Sequence, residues 1–349
     1  MHLRSRVKRS RFSRWLRRPY ICFAFLCFFS WKSATEVKKP SKQHGIGAVE
    51  QGEPSSKKCI VVINGYKRHI LLTALAIHYS QMPRVDKVIV NWGNMKIQPR
   101  LLQRCVLRLN LNNKIRIIKR RQDSLNDRFK PIEEKTTNCT VIADDDIFIK
   151  QTDFNNAIDV WSRDETRLIG AFSRSHVQTG PGELVQYIGS PKDRYSMVLT
   201  KFMVMHSSYL EYYTHAMPEQ VRKCVQAKHN CEDLAMNLMI SRITGMTSTY
   251  VKMYPKYDFG EFGLYSRGHH MDGRSQCLME IPFFMSVDIP KHTELAYGPG
   301  GVEESFKSDR YIKPIGLRKY VLTCKIWLAL HVHSDASGVA HRISDILWP

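Results

Sequence analysis

The stretch Thr140-Val141-Ile142-Ala143-Asp144-Asp145-Asp146 places an uncharged, largely apolar run directly before three carboxylates. Such a run is typical of a strand that is buried on both faces of a parallel sheet. Ligands of parallel α/β sheets bind at the carboxyl ends of the strands, where these aspartates would emerge. The stretch therefore predicts an α/β fold and also the side of the sheet on which a ligand binds.

The three aspartates themselves predict a cation site. Carboxylates at one strand end repel each other, which raises their pKa values and costs stability unless a cation lies among them. Carboxylate oxygens suit Mg²⁺ or Mn²⁺, and either ion also binds phosphate oxygens. An acidic surface turn is the alternative explanation. Because the aspartates follow a buried strand directly, we favour the metal site.

The sequence around this strand predicts the rest of a sheet. Further apolar strands are expected at 59–63, 87–90 and 114–118, and an amphipathic helix is expected at 69–79. This order and spacing predict a right-handed, Rossmann-like α/β sheet that is mixed but mainly parallel.

A second helix is expected at 232–243, with Glu232 and Asp233 in its first turn. Acidic residues are what a helix N-terminus prefers, so capping is one explanation of this pair. A chemical role for the two carboxylates is the other.

The composition places the chain among folded proteins with anionic partners. Hydrophobic residues make up 43% of the 349 residues, which is enough for a core and excludes global disorder. The formal net charge of +21 favours a nucleotide sugar, an acidic glycan or a phospholipid headgroup as partner. The alternative is that the charge only keeps the protein soluble. We do not expect nucleic acid among the partners.

The N-terminal part predicts the topology. Residues 1–19 are basic without an acidic residue, and residues 20–31 are almost wholly apolar. As a helix, residues 20–31 would reach only ~18 Å, short of the ~30 Å hydrocarbon core. This is the shape of a secretory signal, either cleaved or retained as a short signal anchor, and we favour the anchor. We therefore expect a single-pass type II protein of the Golgi or endoplasmic reticulum membrane, with a cytoplasmic tail, a flexible stem at 32–57 and a lumenal catalytic domain.

The nine cysteines show no spacing that is typical of a zinc site, so a zinc cluster is not expected. An oxidising lumen would permit one or two disulfides.

Several stretches, in this order, resemble the exostosin-like glycosyltransferases, family 64 of the sugar transferases. They are DSLNDRF (123–129), VIADDDIFI (141–149), YSMVLTK (195–201), HNCEDLAMN (229–237) and GRSQC (273–277). The sequences THAMPEQVRK (214–223) and YSMVLTK most resemble those of the plant branch, which glycosylates inositol phosphorylceramide sphingolipids. The resemblance covers residues 58–290, which would form the transferase domain, and leaves 291–349 as an extension of unknown role.

This resemblance implies a fold and an activity. The fold would be of GT-A type, and the cofactor would be Mn²⁺, with Mg²⁺ as the alternative. The enzyme would transfer a hexose or an N-acetylhexosamine from a nucleotide sugar, with retention of the anomeric configuration. UDP-GlcNAc, UDP-GalNAc and GDP-mannose are the candidate donors, and the acceptor would be a glycan or a glycolipid.

The resemblance also implies roles for individual residues. Asp146 would be the main metal ligand of a DXD motif, and Cys231 would pair with Cys277. Asp233 would be the catalytic carboxylate at the sugar. Arg274 would be the second catalytic residue and would face the diphosphate. The expected donor contacts are Arg68, Asn94, Arg128, Asp144, Asp145 and Glu232.

Two other classes of function remain open. The first is a weak or inactive family member that acts as a scaffold in a Golgi glycosylation complex, and the second is a polyanion-binding protein. The presence of Asp146, Asp233, Arg128 and Arg274 argues against the first. The second leaves the buried strand that ends in three aspartates unexplained.

Overall fold

The computed structural model describes residues 57–133, 135–178, 180, 184–255, 257–259 and 270–307. Within these ranges the strands are β1 Cys59–Gly65, β2 Val85–Trp92, β3 Ile115–Lys119, β4 Cys139–Ala143, β5 Ile147–Phe148, β6 Ile169–Gly170, β7 Ser173–Gln178, β8 Val185–Ile188, β9 Met197–Val198, β10 Phe202–His206, β11 Thr249–Val251, β12 Tyr257–Asp258, β13 Leu295–Tyr297 and β14 Glu303–Ser305. The helices are α1 His69–Ser80, α2 Arg100–Arg108, α3 Gln151–Arg163, α4 Ser208–Glu211, α5 Glu219–Lys228, α6 Glu232–Thr244 and α7 His270–Met285. Short helical turns lie at Leu125–Phe129, Tyr212–Ala216 and Pro299–Gly301.

The main sheet has nine strands in the order β14-β13-β11-β6-β10-β4-β1-β2-β3. β4, β1, β2 and β3 are parallel neighbours, whereas β10 runs antiparallel to both β4 and β6. The predicted α/β class, with a mixed and mainly parallel sheet of GT-A type, is therefore confirmed. The strands and helices expected from the sequence are all present, with ends that differ by one or a few residues.

The central strands are buried because other elements pack on the sheet. Ile60 of β1 and Ile142 of β4 belong to a core cluster that also contains Met236 of α6. A second group of rings lies outside that cluster, where Tyr79 of α1 and Phe154 of α3 have centroids 6.0 Å apart. This packing leaves the carboxyl ends of β1, β2 and β4 on one side of the sheet, where the loops that follow them meet.

Two short strands near the end of the described residues enlarge the sheet. β13 pairs in parallel with β11, and β14 pairs with β13. The sheet therefore continues past residue 290, where the sequence had placed the end of the transferase domain. Residues 1–56 and 308–349 lie outside the described residues, and with them lie the expected tail, the apolar segment 20–31 and most of the stem. Within the described ranges, no helix is both long enough and apolar enough to cross a membrane.

Two disulfides connect the described elements. Cys231 pairs with Cys277, as the resemblance implied. A second bond, which the sequence did not predict, joins Cys59 to Cys139, with the two Cα atoms 4.5 Å apart. These two residues are register partners on the parallel strands β1 and β4, so the bond depends on an alignment that cysteine spacing does not reveal.

Candidate active site

The three aspartates lie where the sequence placed them, directly after β4. The backbone of this segment is held from two sides, because the Asp144 amide donates to the Lys201 carbonyl at 3.2 Å and the Phe259 amide donates to the Asp146 carbonyl at 2.8 Å. Asp146 is only 6% exposed. An acidic surface turn therefore does not describe this segment, since its last carboxylate is buried.

Arg68, in the loop after β1, is the cation nearest to these carboxylates. Its Nη1 donates to Asp145 Oδ1 at 2.6 Å and to Asp146 Oδ2 at 2.9 Å. Burial raises the pKa of Asp145 to about 7, although Arg68 opposes the shift. Burial also raises the pKa of Asp146, and the neighbouring Asp144 raises it further. The arginine thus compensates the aspartates only in part, as expected of a site that takes up a further cation.

The second oxygen of Asp146 makes the site suitable for a divalent metal. Asp146 Oδ1 is buried and has no hydrogen-bond partner among the described residues. A buried carboxylate oxygen of this kind is what Mn²⁺ or Mg²⁺ takes as a ligand. In the described part of the chain, no three His, Cys, Asp or Glu side chains are grouped to hold a metal by themselves. Asp146 Oδ1 would hold such an ion, which would take its other ligands from water or from phosphate oxygens, as Mg²⁺ usually does.

Arg128 connects the aspartates to the start of α6. It lies in the turn Leu125–Phe129, and its Nη1 is 3.0 Å from Asp144 Oδ1 and 3.1 Å from Glu232 Oε1. The Thr200 hydroxyl also donates to Glu232 Oε1, at 3.1 Å. Within the described residues, Arg128 Nε and Glu232 Oε2 are buried without a hydrogen-bond partner. These buried polar atoms, one donor and one acceptor, are available to a polar ligand.

Asp233 forms a deeply buried ion pair with Arg274. Its Oδ2 lies 2.7 Å from Nη1 of Arg274, and the two side chains are 1% and 10% exposed. The same nitrogen donates to the Tyr187 hydroxyl at 3.2 Å. Burial alone would lower the pKa of Arg274, but Asp233, Tyr187 and Glu232 together outweigh that effect and raise it. The Asp233 carboxylate therefore has a specific arginine partner on another helix, and capping of α6 does not by itself account for it.

The disulfide Cys231–Cys277 holds this pair together. Cys231 is the residue before Glu232 and Asp233, and it has a left-handed backbone with φ 73°. Cys277 lies one helical turn after Arg274 in α7. The bond thus ties the first turn of α6, which carries the carboxylate, to the helix that carries the arginine.

Asn94 is near the site, but its side chain is engaged with the backbone. Its Nδ2 donates to the Tyr66 carbonyl at 3.0 Å, and its Oδ1 accepts from the amides of Lys96 and Ile97. Asn94 therefore joins the loops that follow β1 and β2. A direct contact of this residue with a donor stays a prediction.

A further buried ion pair, which was not predicted from the sequence, lies beside Asp146. Lys201 Nζ lies 2.8 Å from both carboxylate oxygens of Asp258, whose side chain is 3% exposed. Lys201 lowers the pKa of Asp146, whereas Asp258 raises it. Lys201 was visible as the last residue of YSMVLTK, but Asp258 comes close only because β12 pairs with β5. No local pattern in the sequence predicts the pairing of β12 with β5.

The chain is similar in sequence to known proteins. The profile of the Glycosyl transferase family 64 domain matches residues 59–289, which is more than half of the chain. The chain is 26% identical over 281 residues to "Glycosylinositol phosphorylceramide mannosyl transferase 1" of Arabidopsis thaliana, covering 74% of this chain and 81% of that protein. It is 30% identical over 250 residues to human "Exostosin-like 2", covering 66% of this chain and 74% of that protein.

Among solved structures, the chain resembles "Mannosyltransferase PcManGT from Pyrobaculum calidifontis in complex with GDP-Man and Mn2+". The TM-score is 0.44 at 13% identity, and the match covers 93% of this chain and 88% of that one. A likeness at this level decides nothing about function.

Proposed function

The chain belongs to glycosyltransferase family 64, and we propose that it is a metal-dependent, retaining enzyme of the secretory pathway. It would transfer a hexose or an N-acetylhexosamine from a nucleotide sugar to a glycan or glycolipid acceptor. This proposal rests on the buried Oδ1 of Asp146, which has no hydrogen-bond partner among the described residues, beside Arg68. That oxygen suits a divalent cation, and the arginine suits a phosphate.

The donor would bind through Arg68, Arg128 and the three aspartates, whose opposite charges partly neutralise each other in the absence of a donor. A divalent ion on Asp146 would supply Lewis-acid stabilisation of the departing diphosphate. Arg68 and Arg128 both contact aspartates of the cluster, through a fork of donors that also matches phosphate oxygens. The role of these two arginines would be to bind and orient the diphosphate, since cationic groups placed where negative charge develops stabilise the transition state.

Asp233 would act at the sugar. Retention requires either a nucleophile behind the anomeric carbon or attack from the face that the diphosphate leaves. Arg274, at 2.7 Å, holds the Asp233 carboxylate in position. The carboxylate would stabilise positive charge at the anomeric carbon or orient the acceptor hydroxyl, and neither role requires a covalent intermediate.

The compartment belongs to the same proposal. Two disulfides support an oxidising environment such as the lumen of the Golgi or the endoplasmic reticulum. We propose a type II orientation with residues 20–31 in the membrane. Protease added to sealed microsomes should leave the domain intact, and digestion without detergent would overturn this orientation.

A donor screen tests the activity. The Arabidopsis relative is named as a glycosylinositol phosphorylceramide mannosyl transferase, so GDP-mannose is the first donor to try, followed by UDP-GlcNAc and UDP-GalNAc. We expect the full-length chain with Mn²⁺ to hydrolyse one of them slowly and to transfer its sugar when an acceptor is present. If the chain binds a donor but turns none over, the inactive scaffold is the better description.

A further inference from the structure

An exposed surface beside the donor site carries charge of one sign only. Between Asp86 and Asp123 every charged residue is a lysine or an arginine. Some of these basic side chains have partners within the protein, as Lys114 has in the carbonyls of Val85 and Asp86. Among the remaining cations, Lys96, Arg100, Arg104 and Arg108 lie close together in the chain, are all exposed and make no ion pair with any residue that the structure describes.

The helix α2 places most of this charge on one face. It buries Leu102, Cys105 and Val106 against the protein. The opposite face carries Arg100, Arg104, Leu107 and Arg108, a spacing that puts them on one side of a helix. Leu107 is 66% exposed, so this face combines positive charge with an aliphatic side chain.

The loop before α2 adds two more apolar side chains, Met95 at 66% and Ile97 at 50% exposure. The loop has a fixed conformation, because the side-chain Oδ1 of Asn94 accepts hydrogen bonds from the Lys96 and Ile97 amides at 3.0 and 3.1 Å. The Trp92 ring nitrogen also donates to the Ile97 carbonyl at 2.8 Å. The structure thus exposes these aliphatic side chains to solvent on a constrained loop, and contact of apolar surface with water is unfavourable.

We propose that this docking surface, formed by Met95, Lys96, Ile97, Arg100, Arg104 and Leu107 and extended by Arg108, binds an anionic phospholipid bilayer. The basic side chains suit the headgroups, and the aliphatic side chains suit the boundary of the acyl chains. A soluble acidic glycan would match the charge but would give the aliphatic side chains nothing to contact. The lipid surface is therefore the better partner for the combination.

The position of the surface gives the contact a consequence. Its loop follows β2 at the carboxyl end of the strand and is tied through Asn94 to Tyr66, in the loop that also carries Arg68. Docking would place the mouth of the donor site next to the bilayer. This contact is separate from any membrane segment near the N-terminus, and it does not depend on which donor or acceptor the enzyme uses.

Hydrogen exchange on the full-length chain tests the proposal. The chain is incorporated into vesicles of phosphatidylcholine alone or of phosphatidylcholine with phosphatidylserine, so that residues 20–31 contribute equally to both samples. Peptides that span 93–108 should exchange more slowly in the phosphatidylserine vesicles, whereas peptides from α5 should not change. Equal exchange of 93–108 in both vesicle types would overturn the proposal.

Two matched triple variants separate this surface from charge in general. Arg100→Gln with Arg104→Gln and Arg108→Gln should abolish the protection, since each basic residue contributes about fivefold to binding and the three together on the order of a hundredfold. Lys192→Gln with Arg194→Gln and Lys223→Gln removes the same charge from other exposed positions and should keep the protection. Both variants should melt like the wild type, because all six side chains are exposed.

The apolar half of the surface has its own test. Met95→Ser with Ile97→Ser keeps every charge and should weaken the protection of 93–108 in phosphatidylserine vesicles. Soluble heparin provides the competing outcome. If heparin slows exchange in 93–108 while the anionic vesicles do not, or if the serine variant is protected as strongly as the wild type, the surface binds an acidic polymer and the proposal is wrong.

Discussion

Arg274 and Asp233 form a buried ion pair, with 2.7 Å between Nη1 of the arginine and Oδ2 of the aspartate. Removing one partner of such a pair leaves an uncompensated buried charge, which typically costs about 3–5 kcal/mol. Arg274→Met should therefore lower the free energy of unfolding by about that amount, as measured by urea denaturation.

A double variant is the control for this first prediction. Asp233→Asn together with Arg274→Met removes both charges and should recover part of the lost stability, which a double-mutant cycle would report as coupling. If the two losses simply add, the residues contribute independently and the pair is not the stabilising unit.

The same pair predicts a separate effect of Asp233→Asn on turnover. The amide keeps the shape of the side chain but removes the charge that would stabilise the anomeric carbon, so kcat should fall by roughly 10²- to 10³-fold. Nucleotide affinity should stay close to that of the wild type, because Arg68 and Asp146 are unchanged. Steady-state kinetics and calorimetry measure the two quantities. The control variant Glu219→Gln, at an exposed position on α5, should change neither kcat nor nucleotide affinity. Normal turnover in Asp233→Asn would leave Asp233 with a helix-stabilising role only.

Asp146→Asn should instead abolish metal-dependent binding. The buried Oδ1 of Asp146 is the oxygen that we expect to reach the metal, and an amide is a poorer ligand for a hard cation. Titration of the variant with nucleotide should show no gain on adding Mn²⁺. Wild-type protein in a chelator is the matched reference and should bind nucleotide as weakly as the variant. A variant that still gains affinity from Mn²⁺ would mean that other groups hold the ion.

The raised pKa of Asp145 predicts how pH affects the metal-free protein. The pKa is about 7 in the folded protein, against 3.8 as the ordinary value for the residue. Between these values the folded state holds a proton that the unfolded state has lost, so this group makes stability fall as pH rises. Urea midpoints in a chelator should show that decline from about pH 4 to 7. Asp145→Asn should flatten the slope, and an unchanged slope would assign the decline to other groups.

The parts of the fold that the sequence predicted are those with a strong local pattern. β1 and β4 are mostly apolar, and β2 and β3 contain shorter apolar runs, so these strands can be recognised by themselves. β5 and β12 have two residues each and exist because they pair with each other. Such short strands depend on tertiary contacts, which no window of sequence contains.

The site divides in the same way. Asp146, Asp233 and Arg274 came from motifs that resemble a known family, and the structure brings the last two into contact. The bridge from Arg128 to Asp144 and Glu232 joins three separate motifs, and only the folded chain shows that one side chain links them.

The two disulfides should differ in what they do, although they should stabilise the protein similarly. On the chain-entropy model, closing loops with sequence separations of 46 and 80 residues is worth about 4 kcal/mol each. Cys231→Ala with Cys277→Ala should lower both stability and kcat, because this bond ties the helix of Asp233 to that of Arg274. Cys59→Ala with Cys139→Ala should lower stability alone, since these cysteines begin β1 and β4 at the amino ends of the strands, away from the site. Thermal melts and turnover at a temperature where both variants remain folded separate the two effects. Equal losses of kcat in both double variants would show that the Cys231–Cys277 bond only stabilises the fold and does not position the catalytic pair.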